Sequence, residues 1–171
     1  MTPHDEGAYD YIIIGAGSAG CVLAYRLGED PNTRILVLEA GGDDRAVMVQ
    51  MPSALTIPMN TARFNWGMVT EPEPGLGGRQ INLPRGRGLG GSSSINGMCW
   101  VRGNPMDYEL WEALGADGWR WSNVLPYFQR MEQWHGQADG GDPSFRGGKG
   151  PLHVTRGPRK NPLFEAFIRA G

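Results

Sequence analysis

The residues best suited to chemistry are three glycines and one acid near the start of the chain. Gly15, Gly17 and Gly20 follow the spacing G-x-G-x-x-G, and Glu39 comes nineteen positions after Gly20. Glycines at this spacing allow a tight turn, close approach of a pyrophosphate to the backbone, and close helix–strand packing. An acid at this distance accepts hydrogen bonds from an adenosine ribose and repels a 2′-phosphate. The pattern predicts a site for an adenine dinucleotide.

The elements around these glycines must form a βαβ unit over residues 9–42. The apolar, β-branched run Tyr11 to Ile14 predicts a strand, and Ile35 to Leu38 predicts a second one. Ala24 and Leu27 have helical spacing, so a helix lies between the strands and presents its N-terminal N–H groups to the phosphates. The predicted fold class is α/β, a Rossmann-like domain. The alternative is a glycine turn with a purely structural role. The strand before the glycines, the helix after them and the acid after the second strand favour the nucleotide site over this alternative.

A second glycine-rich stretch runs from Pro84 to Gly103, PRGRGLGGSSSINGMCWVRG. Gly90 and Gly91 allow close backbone approach, and Ser92 to Ser94 offer hydroxyl and N–H groups at the start of a helix, which predicts a second anion-binding turn. The alternative is a flexible linker, which would not need interleaved apolar residues. Those residues are Leu89, Ile95 and Met98.

The rest of the chain predicts shorter elements around these two motifs. Residues 43–58 form an irregular excursion over the nucleotide site, and 136–150 form a mobile surface loop. Strands are expected at 65–71, 79–83 and 151–155. Asn104–Pro105 begins a helix to Leu114, Ser122 caps a helix over 124–133, and Asn161–Pro162 begins a last helix.

Composition narrows the function class. The 171 residues carry a formal charge of −2 and are 40% hydrophobic, which gives no reason to expect a nucleic-acid partner. The basic segment at 85–88 does not repeat. Cys21 and Cys99 form no disulfide framework or metal pattern, and no apolar run is long enough to span a bilayer. We expect a cytoplasmic protein without a metal and leave peripheral membrane contact open.

Together these motifs resemble the glucose–methanol–choline (GMC) oxidoreductases. The resemblance rests on the first glycine motif, on EAGG at 39–42 and on GRGLGGSSSINGMCW at 86–100. Within the family, NWGMVTEPEP, INGMCWVRGNPMDYELW and NPLFEAFIRAG look most like bacterial choline dehydrogenases and their relatives that oxidise other primary alcohols.

The resemblance implies FAD as cofactor, with the pyrophosphate at the first glycine turn and Glu39 on the adenosine ribose. It places Asn96 to Cys99 beside the isoalloxazine ring. Some relatives attach FAD through a histidine before the asparagine, but this chain has Ile95 there, so the expected FAD is non-covalent. The residues expected to bind the cofactor are Gly15, Gly17, Ser18, Ala19, Gly20, Glu39, Ala40, Gly90, Gly91, Ser92, Asn96, Gly97, Met98 and Cys99.

The resemblance also implies oxidation of a primary alcohol, choline first among the candidates, to an aldehyde by hydride transfer to the flavin. The family's catalytic histidine lies near the end of a longer chain, and neither His135 nor His153 sits in such a motif. We therefore expect residues 1–171 to be the N-terminal part of an FAD-binding domain, with the catalytic base and substrate domain in a C-terminal remainder, on the same or a second chain. The alternatives are an NAD-dependent dehydrogenase, a non-catalytic FAD-binding fragment and a flavin photodecarboxylase.

Overall fold

The computed structural model describes residues 7–136, 142, 144–157 and 161–171. The chain divides into two compact units, Met1–Cys99 and Trp100–Gly171. The first unit contains the predicted βαβ motif and the second is built mainly from helices.

In the first unit, strand β1 (Tyr11–Ile14), helix α1 (Ser18–Leu27) and strand β2 (Ile35–Leu38) form the predicted βαβ unit. The strands pair in parallel, with Tyr11 opposite Ile35 and Ile14 opposite Leu38. Ile13 is buried, whereas Ile14 is 86% exposed, so one face of this small sheet is uncovered in the described part of the chain. Parallel sheets are normally covered on both faces.

The rest of the first unit is made of short elements. The segment predicted as irregular contains helices α2 (Val47–Gln50) and α3 (Thr56–Met59), with a 3₁₀ turn between them. Strands β3 (Met68–Val69) and β4 (Asn82–Leu83) form the predicted hairpin, but they are shorter than the predicted runs. Isolated bridges, not a continuous ladder, extend their pairing on either side.

In the second unit, helix α4 (Pro105–Ala113) begins as predicted, because the Asn104 side chain accepts a hydrogen bond from Met106 N–H at 2.9 Å. Helix α6 (Pro162–Ala170) begins in the same way at Asn161, whose side chain accepts from Leu163 N–H at 3.0 Å. Asparagine before a first-turn proline therefore set the start of both helices.

Helix α5 (Trp121–Met131) begins earlier than predicted, and Ser122 is not its cap. Glu109 on α4 accepts a hydrogen bond from Trp121 N–H at 3.0 Å, and Glu112 accepts one from Arg120 N–H at 3.0 Å. Carboxylates from the preceding helix thus satisfy the free N–H groups, a long-range solution that local sequence does not reveal.

Helix α5 also ends earlier than predicted, because Glu132 begins strand β5 (Glu132–Trp134), which pairs in parallel with β6 (Leu152–Val154). The loop predicted over 136–150 lies partly outside the described residues. Within the described part, Gly147 and Gly150 are buried, so this segment is not simply a surface loop.

The turn at Gly147 is held by a buried ionic cluster around Glu132, whose side chain is fully buried. Its carboxylate forms ion pairs with Arg102 and with Arg146, the latter at 2.7 Å, and accepts a hydrogen bond from Gly147 N–H at 3.0 Å. The Arg102 guanidinium lies over the rings of Phe128 and Phe145. Two arginines and an N–H group therefore compensate for the burial of this one charge.

The tryptophans of the second unit pack mainly against other aromatic rings. Their rings meet neighbouring aromatic rings edge-on or tilted at centroid distances of 5.3–6.4 Å. Trp134 instead faces the Arg146 guanidinium at 4.5 Å.

We predict that Glu132→Gln destabilises the chain strongly. The substitution leaves the buried Arg102 without its anionic partner, and breaking a buried pair in this way costs about 3 kcal/mol or more. Urea unfolding at neutral pH measures the change. The matched control is Glu29→Gln, at an exposed ion pair with Arg26. Equal unfolding midpoints for the two variants would contradict the assigned role of Glu132.

Candidate dinucleotide site

The first glycine turn has the geometry that its sequence predicts. Gly15 has φ +94°, in the left-handed region that favours glycine. A Cβ on Gly20 would lie 2.0 Å from the Gly15 carbonyl oxygen, so only glycine lets α1 pack this closely on the turn. No side chain caps the start of α1 at Gly17. The first-turn N–H groups of Ser18 and Ala19, at exposed residues, are therefore available to an anion.

The second glycine stretch lies directly against the first. Gly90 N–H donates to the Ala16 carbonyl at 2.8 Å, and Gly17 and Gly90 form a parallel bridge. Gly91 has φ +54°, and a Cβ there would lie 2.8 Å from the Gly17 Cα. The two motifs, about seventy residues apart in the sequence, thus touch backbone to backbone.

Glu39, at the end of β2, joins these two stretches through its carboxylate. Its Oε2 accepts a hydrogen bond from Ala16 N–H at 2.7 Å. Its Oε1 accepts from Gly41 N–H at 2.9 Å and from Gly88 N–H at 3.0 Å. Ala16 belongs to the first glycine turn and Gly88 to the second glycine stretch, so one side chain bridges both motifs.

These hydrogen bonds keep Glu39 ionised. The N–H group of Gly41 contributes most to lowering the pKa of Glu39, burial opposes it, and the N–H groups of Ala16, Gly88 and Ala40 lower it further. A carboxylate has about four acceptor positions, so backbone N–H groups occupy most of them. A ribose hydroxyl at Glu39 would therefore share an oxygen atom that the backbone already uses.

The serines behave differently from the prediction. Gly91–Ser94 forms a single 3₁₀ turn rather than the start of a helix. Ser92 Oγ accepts from Gly86 N–H at 3.0 Å, and the hydroxyls of Ser93 and Ser94 donate to the carbonyls of Gly90 and Leu89. Ser93 and Ser94 thus use their hydroxyl protons within the loop, whereas Ser92 Oγ accepts a hydrogen bond there and keeps its own proton free to donate.

The residues predicted beside the flavin form a turn with an unusual backbone. Asn96 Oδ1 accepts from Met98 N–H at 2.8 Å, and Met98 has φ +57°, a conformation uncommon for residues other than glycine. Asn96, Gly97, Met98 and Cys99 are all exposed. A Cβ on Gly97 would meet no atom within 4 Å, so the space beside this residue is open.

A cavity of about 220 Å³ opens between this turn and the segment that carries α2 and α3. The second glycine stretch contributes Ser93, Ser94, Ile95, Asn96 and Met98 to its lining. Asp44 and Gln50 give the opposite side its polar groups, and the remaining contacts there are apolar. These are Met48, Val49, Met51, Pro52, Leu55 and Pro58. The cavity joins the second glycine stretch to the segment predicted to cover the nucleotide.

Sequence reasoning missed the backbone groups that Glu39 binds, at Ala16, Gly41 and Gly88. A Cβ on Gly41 would lie 2.3 Å from Gly88 N, so the first glycine of EAGG is required by contact between two distant loops. This glycine, two positions after Glu39, was the available signal. In the described residues, no group of three or more His, Cys, Asp or Glu side chains could hold a metal ion.

The arrangement fits an extended dinucleotide. Gly15, Gly17 and Gly91 leave the backbone unobstructed, and the uncapped start of α1 provides a positive dipole end for a pyrophosphate. The ionised Glu39 lies at the end of the neighbouring strand, where a ribose is expected in this fold. Fold and site together define a dinucleotide-binding protein.

Comparison with known proteins identifies the family. The chain belongs to the GMC oxidoreductases, because the model of the family described as GMC oxidoreductase matches residues 9–171. The oxygen-dependent choline dehydrogenase of Sinorhizobium fredii is 58% identical over 162 residues, and that of Rhizobium meliloti is 57% identical over the same length. Each alignment covers 95% of this chain and 29% of the relative, so the chain spans about three tenths of the relatives' length.

Solved structures agree with this assignment. Pyridoxine 4-oxidase from Mesorbium loti superposes with a TM-score of 0.85 at 36% identity, covering 95% of this chain and 31% of that one. An FAD-dependent oxidoreductase from Chaetomium thermophilum gives 0.84 at 36% identity, covering 95% and 29%. The predicted GMC fold class and the prediction of FAD as the cofactor are confirmed. No helix in the described residues is long and apolar enough to cross a membrane.

We predict that Glu39→Gln destabilises the chain by about 1–3 kcal/mol at pH 7, since it replaces a charged acceptor that binds several N–H groups. Because the pKa of Glu39 is lowered in the folded state, its stabilising effect is present above the ordinary glutamate pKa. The effect disappears as the pH falls through the lower folded value. Urea unfolding of both proteins at several pH values measures this difference.

The matched control is Glu29→Gln, since Glu29 is an exposed partner of Arg26. We expect a clear loss in the free energy of unfolding at pH 7 for the Glu39 variant only. Equal free energies of unfolding for the two variants would contradict this role of Glu39. So would a loss from Glu39→Gln that is as large in acid as at pH 7.

Proposed function

We propose that this chain supplies the FAD-binding part of an enzyme that oxidises a primary alcohol, choline or a related compound, to the aldehyde. The observation that carries this proposal is the backbone contact between the two glycine stretches, joined by Glu39. That contact places the two predicted phosphate-binding turns side by side. Membership of the GMC oxidoreductases supports the flavin as its occupant.

In this proposal the N–H groups of Ser18 and Ala19 bind the pyrophosphate at the start of α1. Gly17 and Gly90 give the cofactor access to the backbone, and Gly91 lets the second glycine stretch pack against the first, because any Cβ at Gly91 would collide with Gly17. Glu39 contacts the adenosine ribose through an oxygen that it shares with the backbone. Its negative charge favours an unphosphorylated ribose. Gly15, Gly20, Ala40 and Ser92 shape the turns on either side.

FAD, when bound, supplies the acceptor for a hydride from the alcohol carbon. The turn from Asn96 to Cys99 is the proposed flavin contact. Backbone N–H groups in such a turn stabilise negative charge where it develops during reduction. The strained backbone at Met98 supports a functional role for the turn, since strain of this kind persists at ligand sites.

The substrate class comes from the relatives. The two rhizobial proteins carry the name choline dehydrogenase, and they match nearly the whole of this chain. The catalytic base and most of the substrate site belong, in this proposal, to the remainder of the enzyme. Uncovered apolar residues support such a partner, since Ile14 is 86% and Phe167 81% exposed.

The proposed attachment of FAD is non-covalent. Ile95 occupies the position where some relatives carry the linking histidine, and its side chain is buried and lines the cavity. An aliphatic side chain offers no nucleophile for a bond to the flavin.

The test is a visible absorption spectrum of the purified chain after incubation with FAD and removal of the excess. We predict a flavin spectrum that moves wholly into the supernatant when the protein is denatured and pelleted. Flavin that stays with the pellet contradicts non-covalent binding. A chain that retains no flavin even at high FAD concentration contradicts the proposal that these residues form the cofactor site.

A variant pair locates the flavin on the chain. Gly97→Ala adds a methyl group where no atom lies within 4 Å, so the FAD-free chain should keep its stability. If the flavin occupies that space, FAD affinity should fall by about tenfold, equivalent to roughly 1.4 kcal/mol. The control is Gly75→Ala, which also adds its methyl group in open space. Equal FAD affinities for the two variants would show that Gly97 does not contact the flavin.

A further inference from the structure

Two histidines in the second unit face each other across neighbouring strands. His153 lies in β6, and His135 directly follows β5. His135 Nε2 and His153 Nδ1 are 2.8 Å apart, and the ring planes are within 5° of parallel. Both residues are exposed, so the pair is accessible from solvent.

The strands hold this pair at a fixed spacing. Gln133 pairs with His153 in the parallel register of β5 and β6, and His135 N–H donates to the Val154 carbonyl at 2.9 Å. The backbone on either side of the pair is therefore fixed by hydrogen bonds. The carboxylate of the neighbouring Glu132 is already paired with Arg102 and Arg146, so it is not available as a third metal ligand.

The contact between the two rings is an in-line hydrogen bond, since the ring centroids lie 5.1 Å apart and the planes are nearly parallel. The facing nitrogens therefore point at each other in the metal-free chain, and both rings must turn before the two nitrogens can bind one ion. Neighbouring imidazole donors completed by water suit the square-planar or tetragonal coordination that Cu²⁺ and Ni²⁺ prefer, and Cu²⁺ binds such nitrogen sites most tightly of the divalent first-row metals.

We propose that His135 and His153 form a two-histidine site for Cu²⁺ or Ni²⁺, with water in the other positions. In the metal-free chain one imidazole N–H donates to the facing nitrogen of the other ring. On binding, that proton moves to the outer nitrogen of its own ring, and both facing nitrogens then donate lone pairs to the ion. Each exposed ring turns outward so that the lone pairs converge. No proton leaves the pair in this step.

The test uses the whole 171-residue chain with one equivalent of Cu²⁺ and electron paramagnetic resonance. We expect a tetragonal Cu²⁺ signal whose nitrogen splitting corresponds to two imidazole ligands. In His135→Gln and in His153→Gln the splitting should fall to one nitrogen. Affinity, measured by competition with a chelator, should fall by about a hundredfold, because the second donor no longer binds intramolecularly.

The matched control is His4→Gln, which removes the one remaining histidine of the sequence. It should keep both the two-nitrogen signal and the affinity. A one-nitrogen signal in the unmodified chain would overturn the proposal. So would single variants at positions 135 and 153 that bind Cu²⁺ as tightly as the unmodified chain. Both outcomes are independent of FAD binding.

Discussion

The site depends on a single partly buried carboxylate. Glu39 accepts hydrogen bonds from the N–H groups of Ala16, Gly41 and Gly88, which lie in three separate turns. Their N–H groups lower the pKa of Glu39, so the carboxylate remains charged and its hydrogen bonds are the stronger, charge-assisted kind. Without this charge, several backbone donors at the centre of the first unit would lack an acceptor. The same residue that faces the proposed ribose thus also assembles the turns that would bind the pyrophosphate.

The site also depends on glycines, whose lack of a side chain lets the turns held by Glu39 come into direct contact. Gly91 and Gly17 meet so closely that a single methyl group would separate them, and Gly41 meets Gly88 in the same way. Glycine is therefore required at these positions because backbone packs directly against backbone. The hydroxyls of Ser93 and Ser94 donate to carbonyl groups of the loop, and Ser92 Oγ accepts from Gly86 N–H, so the three serines also reinforce the loop.

The sequence predicted the parts of the fold that local chemistry decides. The strands Tyr11–Ile14 and Ile35–Leu38 are short apolar runs, and Asn104 and Asn161 cap their helices, so each needs only its neighbours. Glu132 shows the limit of such reasoning. Its sequence continues the helical pattern of α5, but ion pairing with Arg102, thirty residues earlier, and pairing of β5 with β6 end the helix before it.

The candidate site was likewise predictable from the sequence only in part. The spacing of Gly15, Gly17 and Gly20 and the position of Glu39 predicted the nucleotide turn, because the motif is local. The bonds of Glu39 to Gly88 were not predictable, since they join residues 49 positions apart. The hydrogen bonds of the serine hydroxyls depend likewise on the final shape of the loop.

Amide hydrogen exchange, measured on the chain with and without FAD, tests the central claim most directly. The account predicts that the Ala16, Gly41 and Gly88 amides are already protected in the FAD-free chain, since Glu39 binds them there. The amides of Ser18 and Ala19 should become protected only when FAD is added. Rapid exchange of the first three amides in the folded chain would show that Glu39 does not hold the turns together. Unchanged exchange at Ser18 and Ala19 on FAD binding would place the pyrophosphate elsewhere.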